Sequence, residues 1–259
     1  MSETHLLYRV EDQVAYFTLN REKQRNALSG EALDLFLAHL GRAENDPEVR
    51  VVLVTGAGDR AFCSGADLGA GIGRGGQDGR DAFRRYAGLL KRLAGLPKPT
   101  VARVNGSCMA GGMGLMLACD LVIAVNTARF GTPEVNVGLF PMMIGALIFR
   151  NVPRKKAMEM VLLGERFGAE QAREMGLITR AVAPGDLDAE VSQVLEKLKA
   201  KSPIGMRIGK EAFHAMGDMP FGEALDFLSG KIAEVASTED AAEGITAFIE
   251  KRQPVFKGK

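Results

Sequence analysis

The sequence predicts an α/β protein in which alternating strands and helices are followed by a helical tail. Residues 14–20 ("VAYFTLN") are rich in β-branched and aromatic residues, which is typical of a strand. In the first half of the chain, such runs alternate with segments of helical spacing, and this alternation favours layers of helices on sheets. From about residue 186 onwards the strand signal disappears and apolar stripes of helical spacing remain.

The elements of the core follow in order after this first strand. Ser29 is a suitable N-cap for a helix with Leu33, Phe36, Leu37 and Leu40 on one face. Residues 49–56 ("VRVVLVTG") form an apolar run that ends in glycine, as expected of a strand buried on both faces. The remaining predictions are a helix carrying Phe83, Tyr86, Leu90 and Leu93, a strand at 100–106, a helix at 108–119 and a strand at 120–125.

The tail consists of three helical stripes, and a glycine-rich segment interrupts the core. The stripes are Leu187, Val191, Val194 and Leu198; Phe221, Leu225, Leu228 and Ile232; and Ile245, Phe248 and Ile249. Such a tail packs either on its own core or on a neighbouring subunit. Residues 69–79 ("GAGIGRGGQDG") have almost nothing to bury, and we expect a mobile loop there.

Composition and charge exclude several classes of function. The chain has 259 residues and a formal net charge of +1, which gives no electrostatic reason to expect nucleic acid or an anionic membrane as a partner. Its cysteines form no CxxC pair, and with three histidines no metal site is visible. The apolar stretch 107–125 contains Asp120 and reads better as a buried helix and strand than as a membrane span. The N-terminus shows no signal or transit pattern, so we expect a cytosolic protein.

Two familiar kinds of site are poorly supported. Residues 56–61 ("GAGDRA") and 71–76 ("GIGRGG") fit dinucleotide-binding glycine patterns, but the first precedes no amphipathic helix and the second follows no strand. Cys63 and Ser64 lack the G-x-S-x-G elbow of a nucleophile, and no histidine is a natural base for them. His39 and His214 fall in helical stretches, and Cys108 and Cys119 are expected in the core.

Three other segments are stronger because their parts suit one reaction. Residues 61–68 ("AFCSGADL") follow a buried strand, residues 105–120 join a strand to a helix through small residues, and residues 130–141 place Glu134 after Pro133. Two backbone turns that present N–H groups to one oxygen, beside a carboxylate, are what an enolate requires. The alternative interpretation is that the glycines merely permit close packing of helix on strand.

In this order and spacing, the three segments resemble the crotonase (enoyl-CoA hydratase/isomerase) superfamily. Further resemblance lies in residues 19–29, 176–184, 201–213 and 243–256, so that it covers essentially the whole chain. It implies a crotonase-like spiral of ββα units over residues 1–195, with the acyl-CoA site, and a helical trimerisation region over 196–259. Family members assemble as trimers, or as hexamers made of two trimers.

The resemblance also implies roles for individual residues. The backbone N–H groups of Ala66 and Gly111 correspond to the oxyanion hole, and Glu134 corresponds to the catalytic acid/base. Coenzyme A enters as part of the substrate, and no separate cofactor or metal is expected. The residues expected to bind substrate or coenzyme A are Arg25, Ala27, Leu28, Ser64, Ala66, Asp67, Leu68, Gly112, Pro133, Phe140, Phe248 and Lys251. Of these, Phe248 and Lys251 would reach the nucleotide end, across a subunit boundary.

Position 114 departs from the family pattern. Family hydratases carry a second glutamate there, whereas this chain has Gly114 in "AGGMG". Adding water across a double bond suits two facing carboxylates, while moving a double bond between the 3,4 and 2,3 positions needs one base. On these residues we favour isomerisation slightly over hydration, although hydratase is the name that overall similarity favours. Asp78 or Asp81 is a candidate to replace the missing acid.

Two further classes of function stay open. One is another enolate reaction on the same scaffold, such as decarboxylation, ring opening or thioester hydrolysis. The apolar wall at residues 137–149 favours an acyl chain without a second charged group. The other is a non-catalytic acyl-CoA-binding subunit, against which the retention of Glu134 argues.

Overall fold

The computed structural model describes residues 4–67 and 77–259, with residues 77 and 78 described by their backbone. The strands are β1 (Leu6–Glu11), β2 (Val14–Leu19), β3 (Val51–Gly56), β4 (Ala61–Cys63), β5 (Thr100–Val104), β6 (Ser107–Met109), β7 (Leu121–Val125), β8 (Arg129–Gly131), β9 (Arg166–Gly168) and β10 (Arg180–Val182). The helices are α1 (Gly30–Asn45), α2 (Gln77–Ala94), α3 (Gly111–Leu117), α4 (Met142–Asn151), α5 (Arg154–Leu163), α6 (Ala169–Glu174), α7 (Leu187–Lys199), α8 (Pro203–Ala215), α9 (Phe221–Ala236) and α10 (Glu239–Glu250).

The larger sheet within the described residues has six strands in the order β1-β2-β3-β5-β7-β10. β1 and β2 form an antiparallel hairpin, and the neighbours from β2 to β10 are parallel. Every residue of β3 is buried, which confirms the prediction of a strand covered on both faces.

The smaller sheet has the order β4-β6-β8-β9. Its first three strands are parallel to one another, and β9 runs antiparallel to β8. The carboxyl ends of β4, β6 and β8 therefore meet at one edge. In α/β sheets, ligands bind at such an edge.

The boundaries predicted from local sequence patterns were correct for some elements and wrong for others. Ser29 caps α1 as predicted, because its hydroxyl accepts a hydrogen bond of 3.1 Å from the N–H of Ala32. The prediction of one helix over residues 108–119 was wrong at both ends. Cys108 and Met109 belong to β6, and the helix begins after Ala110, whose positive φ of 50° interrupts the regular backbone.

Other boundaries also differ from expectation. The predicted loop at 69–79 ends too late, since α2 begins at Gln77, while residues 68–76 lie outside the described residues. The expected boundary between residues 195 and 196 falls inside α7, whose residues Val191 and Leu195 are buried and which packs on β3 and β7. Residues 201–213, which carry part of the family resemblance, lie mostly in α8, a helix that the three predicted stripes of the tail did not include.

The tail beyond α7 exposes much of its apolar surface in the single chain. No residue of α9 is buried; Phe221 is 82% exposed and Ile232 is 64% exposed. Across the described residues, no helix is both long and apolar enough to cross a membrane.

Candidate active site

The three segments singled out from the sequence leave neighbouring parallel strands at the same edge of the smaller sheet. Residues 64–67 follow β4, residues 110–111 follow β6, and residues 132–134 follow β8. Cys63 is paired with Cys108, and Met109 with Gly131, so the strands end nearly level. The topology therefore brings together the two turns and the acid that the sequence spreads over about 70 residues.

The first two turns touch each other. Gly65 has a φ of +100°, a conformation that favours glycine, and a Cβ placed on it would lie 2.7 Å from the Cβ of Ala110 and 3.1 Å from the amide nitrogen of Gly111. Ala110 itself has a positive φ, and its N–H donates to the Gly131 carbonyl at 2.9 Å. Strained backbone of this kind clusters at functional sites. The contact fixes the position of residues 65–66 relative to the start of α3.

The segment after β4 is held from its other side by residues 25–28. The Ser64 N–H donates to the Arg25 carbonyl at 3.0 Å, the Leu28 N–H to the Gly65 carbonyl at 2.8 Å, and the Asp67 N–H to the Leu28 carbonyl at 2.9 Å. In this parallel bridge, alternate peptide groups point to opposite sides. The N–H of Ala66 therefore points away from residue 28.

Neither of the two proposed amides is engaged by the part of the chain that the structure describes. The Ala66 N–H donates to no described group, and the same holds for Gly111. Gly111 is the first residue of α3, where an N–H has no partner within the helix. The helix dipole also favours negative charge at this end. Two N–H groups without a partner in the described part of the chain thus lie on contacting turns, and donors to a shared oxyanion must be free and close together.

Glu134 lies in a short 3-10 helix, Pro133–Val137, and its carboxyl group is the acid of this edge. Its Oε2 is buried and has no hydrogen-bond partner among the described residues. Burial raises the pKa of Glu134 above its ordinary value of 4.5. The backbone around it is fixed, because the Leu139 N–H donates to the Glu134 carbonyl at 3.0 Å and the side-chain amide of Asn136 donates through Nδ2 to the Gly164 carbonyl at 3.2 Å. A positioned carboxyl with increased proton affinity suits general acid–base chemistry.

The glycines of α3 each have a packing reason. A Cβ on Gly112 would lie 2.4 Å from the Cys63 carbonyl oxygen, so this glycine lets α3 lie directly on β4. A Cβ on Gly114 would lie 2.2 Å from the Tyr86 hydroxyl oxygen and 2.6 Å from Cγ2 of Ile144. The packing interpretation of the glycines therefore holds for Gly112 and Gly114, and it does not compete with the role expected of the Gly111 amide.

Tyr86 is a residue of this site that sequence reasoning missed. The spacing predicted it as one member of the buried stripe of α2, which is correct, since it is 8% exposed. Its hydroxyl, however, donates to the Gly111 carbonyl at 2.5 Å. No local signal separates this tyrosine from its apolar neighbours on the helix.

A basic cavity of about 270 Å³ lies beside the segment after β4. It is lined by Arg25, Arg60, Ala61, Ser64, Ser107, Met109 and Arg166. The structure thus brings together Arg25 and Ser64, two of the residues expected to bind coenzyme A. Arg60 and Arg166 were missed, because they come from separate strand ends and form no motif. Three guanidinium groups around one cavity suit an anionic ligand.

The other expected binding residues occupy varied places. Ala27 and Leu28 are buried beside residues 64–67, and Asp67 is paired with Arg21 at 2.7 Å. Pro133 begins the 3-10 helix of Glu134, and Phe140 is 44% exposed after it. Leu68 lies outside the described residues.

The C-terminal candidates lie on a different part of the molecule. Phe248 is 84% exposed on α10, and Lys251 is its C-cap; α10 packs on α8 and α9. Of the candidate substitute acids, the side chain of Asp78 is outside the description, and Asp81 lies 3.5 Å from Arg84. The suggested roles of these four residues stay predictions.

The structure gives no support to a dinucleotide site or to a nucleophile at Cys63. The "GAGDRA" turn leads directly into β4, not into a helix N-terminus that would face a pyrophosphate. Burial raises the pKa of the Cys63 thiol to about 12, so it is protonated at neutral pH and is a poor nucleophile. His39 is stacked on Tyr8, with ring centroids 4.4 Å apart.

Comparison with known proteins identifies the family of the chain. The family model described as enoyl-CoA hydratase/isomerase matches residues 9–259. A putative enoyl-CoA hydratase of Thermus thermophilus is 38% identical over 247 residues, covering 94% of this chain and 97% of the relative. A short-chain-enoyl-CoA hydratase of Clostridium acetobutylicum is 33% identical over 254 residues, covering 98% and 97%.

Solved structures agree as well. The crystal structure of an enoyl-CoA hydratase from Bacillus anthracis matches with a TM-score of 0.94 at 32% identity, covering 98% of this chain and 100% of that one. The predicted crotonase-like α/β fold, with its helical C-terminal region, is thereby confirmed. The chain belongs to the enoyl-CoA hydratase/isomerase family.

Proposed function

We propose that the chain acts on an acyl-CoA thioester, stabilises its enolate with the N–H groups of Ala66 and Gly111, and moves a proton with Glu134. The observation that carries this proposal is the meeting, at one sheet edge, of two amides and a buried carboxyl oxygen that have no hydrogen-bond partner among residues 4–67 and 77–259. Each such donor typically contributes about 10²–10³ in rate, because it is already oriented toward the developing charge.

The proton transfer is balanced with a single carboxylate. Glu134 takes the proton from C2 of a 3-enoyl-CoA, and the electrons of the C–H bond delocalise onto the thioester oxygen between the two amides. Return of the same proton to C4 leaves the double bond between C2 and C3. Enzyme and charge are restored, and no water enters the reaction.

We favour this isomerisation over hydration because of what surrounds position 114. Residue 114 is glycine and supplies no second carboxylate, and the space next to it is occupied by the Tyr86 hydroxyl and by Ile144. Hydration is the second candidate function. It is favoured by the names of the relatives, which include a short-chain-enoyl-CoA hydratase.

Other features of the chain suit this substrate class. The arginine-lined cavity is suited to the phosphates of coenzyme A, which enters with the substrate, and no further cofactor is proposed. Apolar side chains after Glu134, including Leu139, Phe140 and Met142, are partly exposed and suit an acyl chain. The apolar stripes of α9 and α10 suit self-association as a trimer or hexamer. We place the protein in the cytoplasm.

The test separates the two reactions. The enzyme is incubated with 2-enoyl-CoA and 3-enoyl-CoA thioesters of several chain lengths, and water addition and double-bond migration are followed independently. We expect migration to be the faster reaction and Glu134→Gln to lower it by about 10²–10⁴-fold, the usual contribution of a general acid–base group. Glu159→Gln, on α5, is the matched control and should retain full activity.

Each alternative gives its own outcome. Undiminished activity in Glu134→Gln would rule out the proposed mechanism. If water addition is faster than double-bond migration, the enzyme is a hydratase and not an isomerase. Release of carbon dioxide or of free coenzyme A from any substrate of the panel would indicate another enolate reaction. Tight binding of an acyl-CoA without turnover would indicate a binding subunit.

A further inference from the structure

The space around position 114 contains a feature that goes beyond the proposed function and rests on it. Gly114 and Tyr86 are complementary in size, since a Cβ on residue 114 would lie 2.2 Å from the tyrosine oxygen. That distance is far below van der Waals contact, and the tyrosine ring is buried, so it has little freedom to withdraw. A side chain at 114 and the observed placement of Tyr86 are therefore mutually exclusive.

The Tyr86 hydroxyl is used inside the site. It donates a 2.5 Å hydrogen bond to the carbonyl of Gly111, the residue whose N–H is the second proposed oxyanion donor. The same oxygen lies 3.4 Å from the position of a Cβ on Gly111. The Gly111 N–H belongs to the peptide shared with Ala110, whose carbonyl accepts a hydrogen bond of 2.9 Å from the Met113 N–H. The Tyr86 hydrogen bond fixes the next peptide, on the other side of the Gly111 Cα.

We propose that Tyr86 is a positioning residue of the proposed reaction: its hydroxyl holds the peptide that follows Gly111 by its carbonyl, which limits rotation at this glycine and keeps the Gly111 N–H directed at the thioester oxygen. Glycine at 114 is the condition for this arrangement, because it leaves room for the hydroxyl. A neutral donor thus fills space next to residue 114, where family hydratases have a carboxylate.

The chemistry of the phenol agrees with a donor that takes no part in proton transfer. Burial, and next the neighbouring Cys63, Cys108 and Glu134, raise the pKa of Tyr86 well above its ordinary value of 10.0. The hydroxyl is therefore protonated throughout the working range and donates its one proton to the Gly111 carbonyl. Glu134 remains the group that carries the substrate proton.

The first test removes the hydroxyl and keeps the ring. In Tyr86→Phe we expect kcat to fall about 3- to 10-fold, the effect of one ordinary hydrogen bond. KM should change less than about twofold, because the lost interaction acts on the transition state. The stretching frequency of the thioester carbonyl in bound butyryl-CoA should shift back toward its value in solution. Tyr8→Phe, at a tyrosine of β1 that stacks on His39, is the matched control and should leave all three unchanged.

The second test uses the size complementarity. Gly114→Ala forces the Tyr86 hydroxyl aside, and we expect it to lower kcat at least as much as Tyr86→Phe. Combining the two substitutions should give much less than the product of the separate effects, since both disturb one contact. Gly114→Ala also contacts Ile144, and it does so both in the wild type and in Tyr86→Phe. This effect therefore cancels when the effects of Gly114→Ala in the two proteins are compared.

The outcomes distinguish this inference from the proposed function. Wild-type kcat and carbonyl frequency in Tyr86→Phe, together with an inactive Glu134→Gln, would overturn the role of Tyr86 and leave the reaction standing. Full activity of Glu134→Gln would overturn the proposed function itself. If Gly114→Ala does not fold, Tyr86→Phe decides the question without it.

Discussion

The two sheets of the molecule differ in how completely their polar and apolar groups are satisfied. In the six-stranded sheet, the hairpin and the parallel strands pair residue by residue, and β3 is wholly buried. In the smaller sheet, the described strands have three residues each, and the strained Ala110 follows one of them. The N–H groups of Ala66 and Gly111 and the buried Oε2 of Glu134 have no hydrogen-bond partner among the described residues. One sheet provides stability, while the other holds groups that are unfavourable for folding and useful to a substrate.

This division explains why the site lies where it does. Long parallel strands fix their own register through a continuous apolar core. Three-residue strands end early, so several chain segments change direction at the same edge. Among the described residues, the N–H groups of Ala66 and Gly111 have no hydrogen-bond partner there. The larger sheet and its helices supply the rigidity that short strands lack.

The largest expected effect tests the stabilising side of this comparison. Phe17, in β2, is fully buried and stacks on Phe36 at 4.8 Å between ring centroids. Phe17→Ala should reduce the free energy of unfolding by about 3–5 kcal/mol. Chemical denaturation measures this loss, and the kcat of the remaining folded enzyme should be unchanged. A large fall in kcat at full occupancy of the folded state would show that the two sheets are not separable.

A smaller loss of stability is expected at the contact between α3 and β4, where packing and the proposed site involve the same residues. Gly112→Ala places a Cβ 2.4 Å from the Cys63 carbonyl, which must displace the start of α3. We expect a loss of about 1–3 kcal/mol in stability, accompanied by a fall in kcat because Gly111 moves too. Gly209→Ala in α8, where a Cβ meets nothing within 4 Å, is the control and should be stabilising by up to about 1 kcal/mol. If Gly112→Ala and Gly209→Ala change the free energy of unfolding equally, the close packing of α3 on β4 is contradicted.

The pH dependence tests the functional side through Glu134. Its carboxylate form is the base, and burial raises its pKa above 4.5. As pH falls through this raised pKa, the base becomes protonated and kcat/KM should decrease, at a higher pH than for an exposed glutamate. The pH profile of kcat/KM measures this inflection. Finding it at or below the ordinary value would contradict the environment described for this carboxyl group.

The smallest expected effect is a change in Tm, because the ionised Glu134 carboxylate destabilises the folded protein. A raised pKa in the folded state means that Glu134 contributes stability below its unfolded pKa, and that this contribution is lost as pH rises through the folded pKa. At neutral pH, Glu134→Gln should therefore raise Tm slightly, by about 1–3 °C, given about 2–4 °C per kcal/mol in a chain of this size and a carboxyl that retains some solvent. A scan at pH 5 should show a smaller gain. A lower Tm at neutral pH would show that the carboxylate stabilises the fold.

The sequence was most informative where local chemistry decides structure. The cap at Ser29, the buried run of β3 and the stripe of α7 are visible because each follows from its own residues. The site segments were found through their motifs, and the positions of Glu134, Ala66 and Gly111 follow from strand order. The start of α3 was misplaced because Ala110 adopts a positive φ that no local preference indicates.

Contacts between distant segments account for what the sequence did not predict. Tyr86 reaches Gly111 from another helix, and Arg25, Arg60 and Arg166 meet at one cavity from three separate segments. Such contacts depend on packing and not on spacing along the chain. The exposed stripe of α9 is predicted by its periodicity, but what covers it depends on assembly.

The proposed reaction requires that the amides of Ala66 and Gly111 converge on one thioester oxygen beside Glu134. A crystal structure with a bound acyl-CoA tests it most directly. We expect the thioester oxygen to lie about 2.7–3.1 Å from both amide nitrogens, with the Glu134 carboxyl within hydrogen-bond reach of C2 or C4. A thioester oxygen bound by other groups, or amides that diverge from it, would contradict the claim.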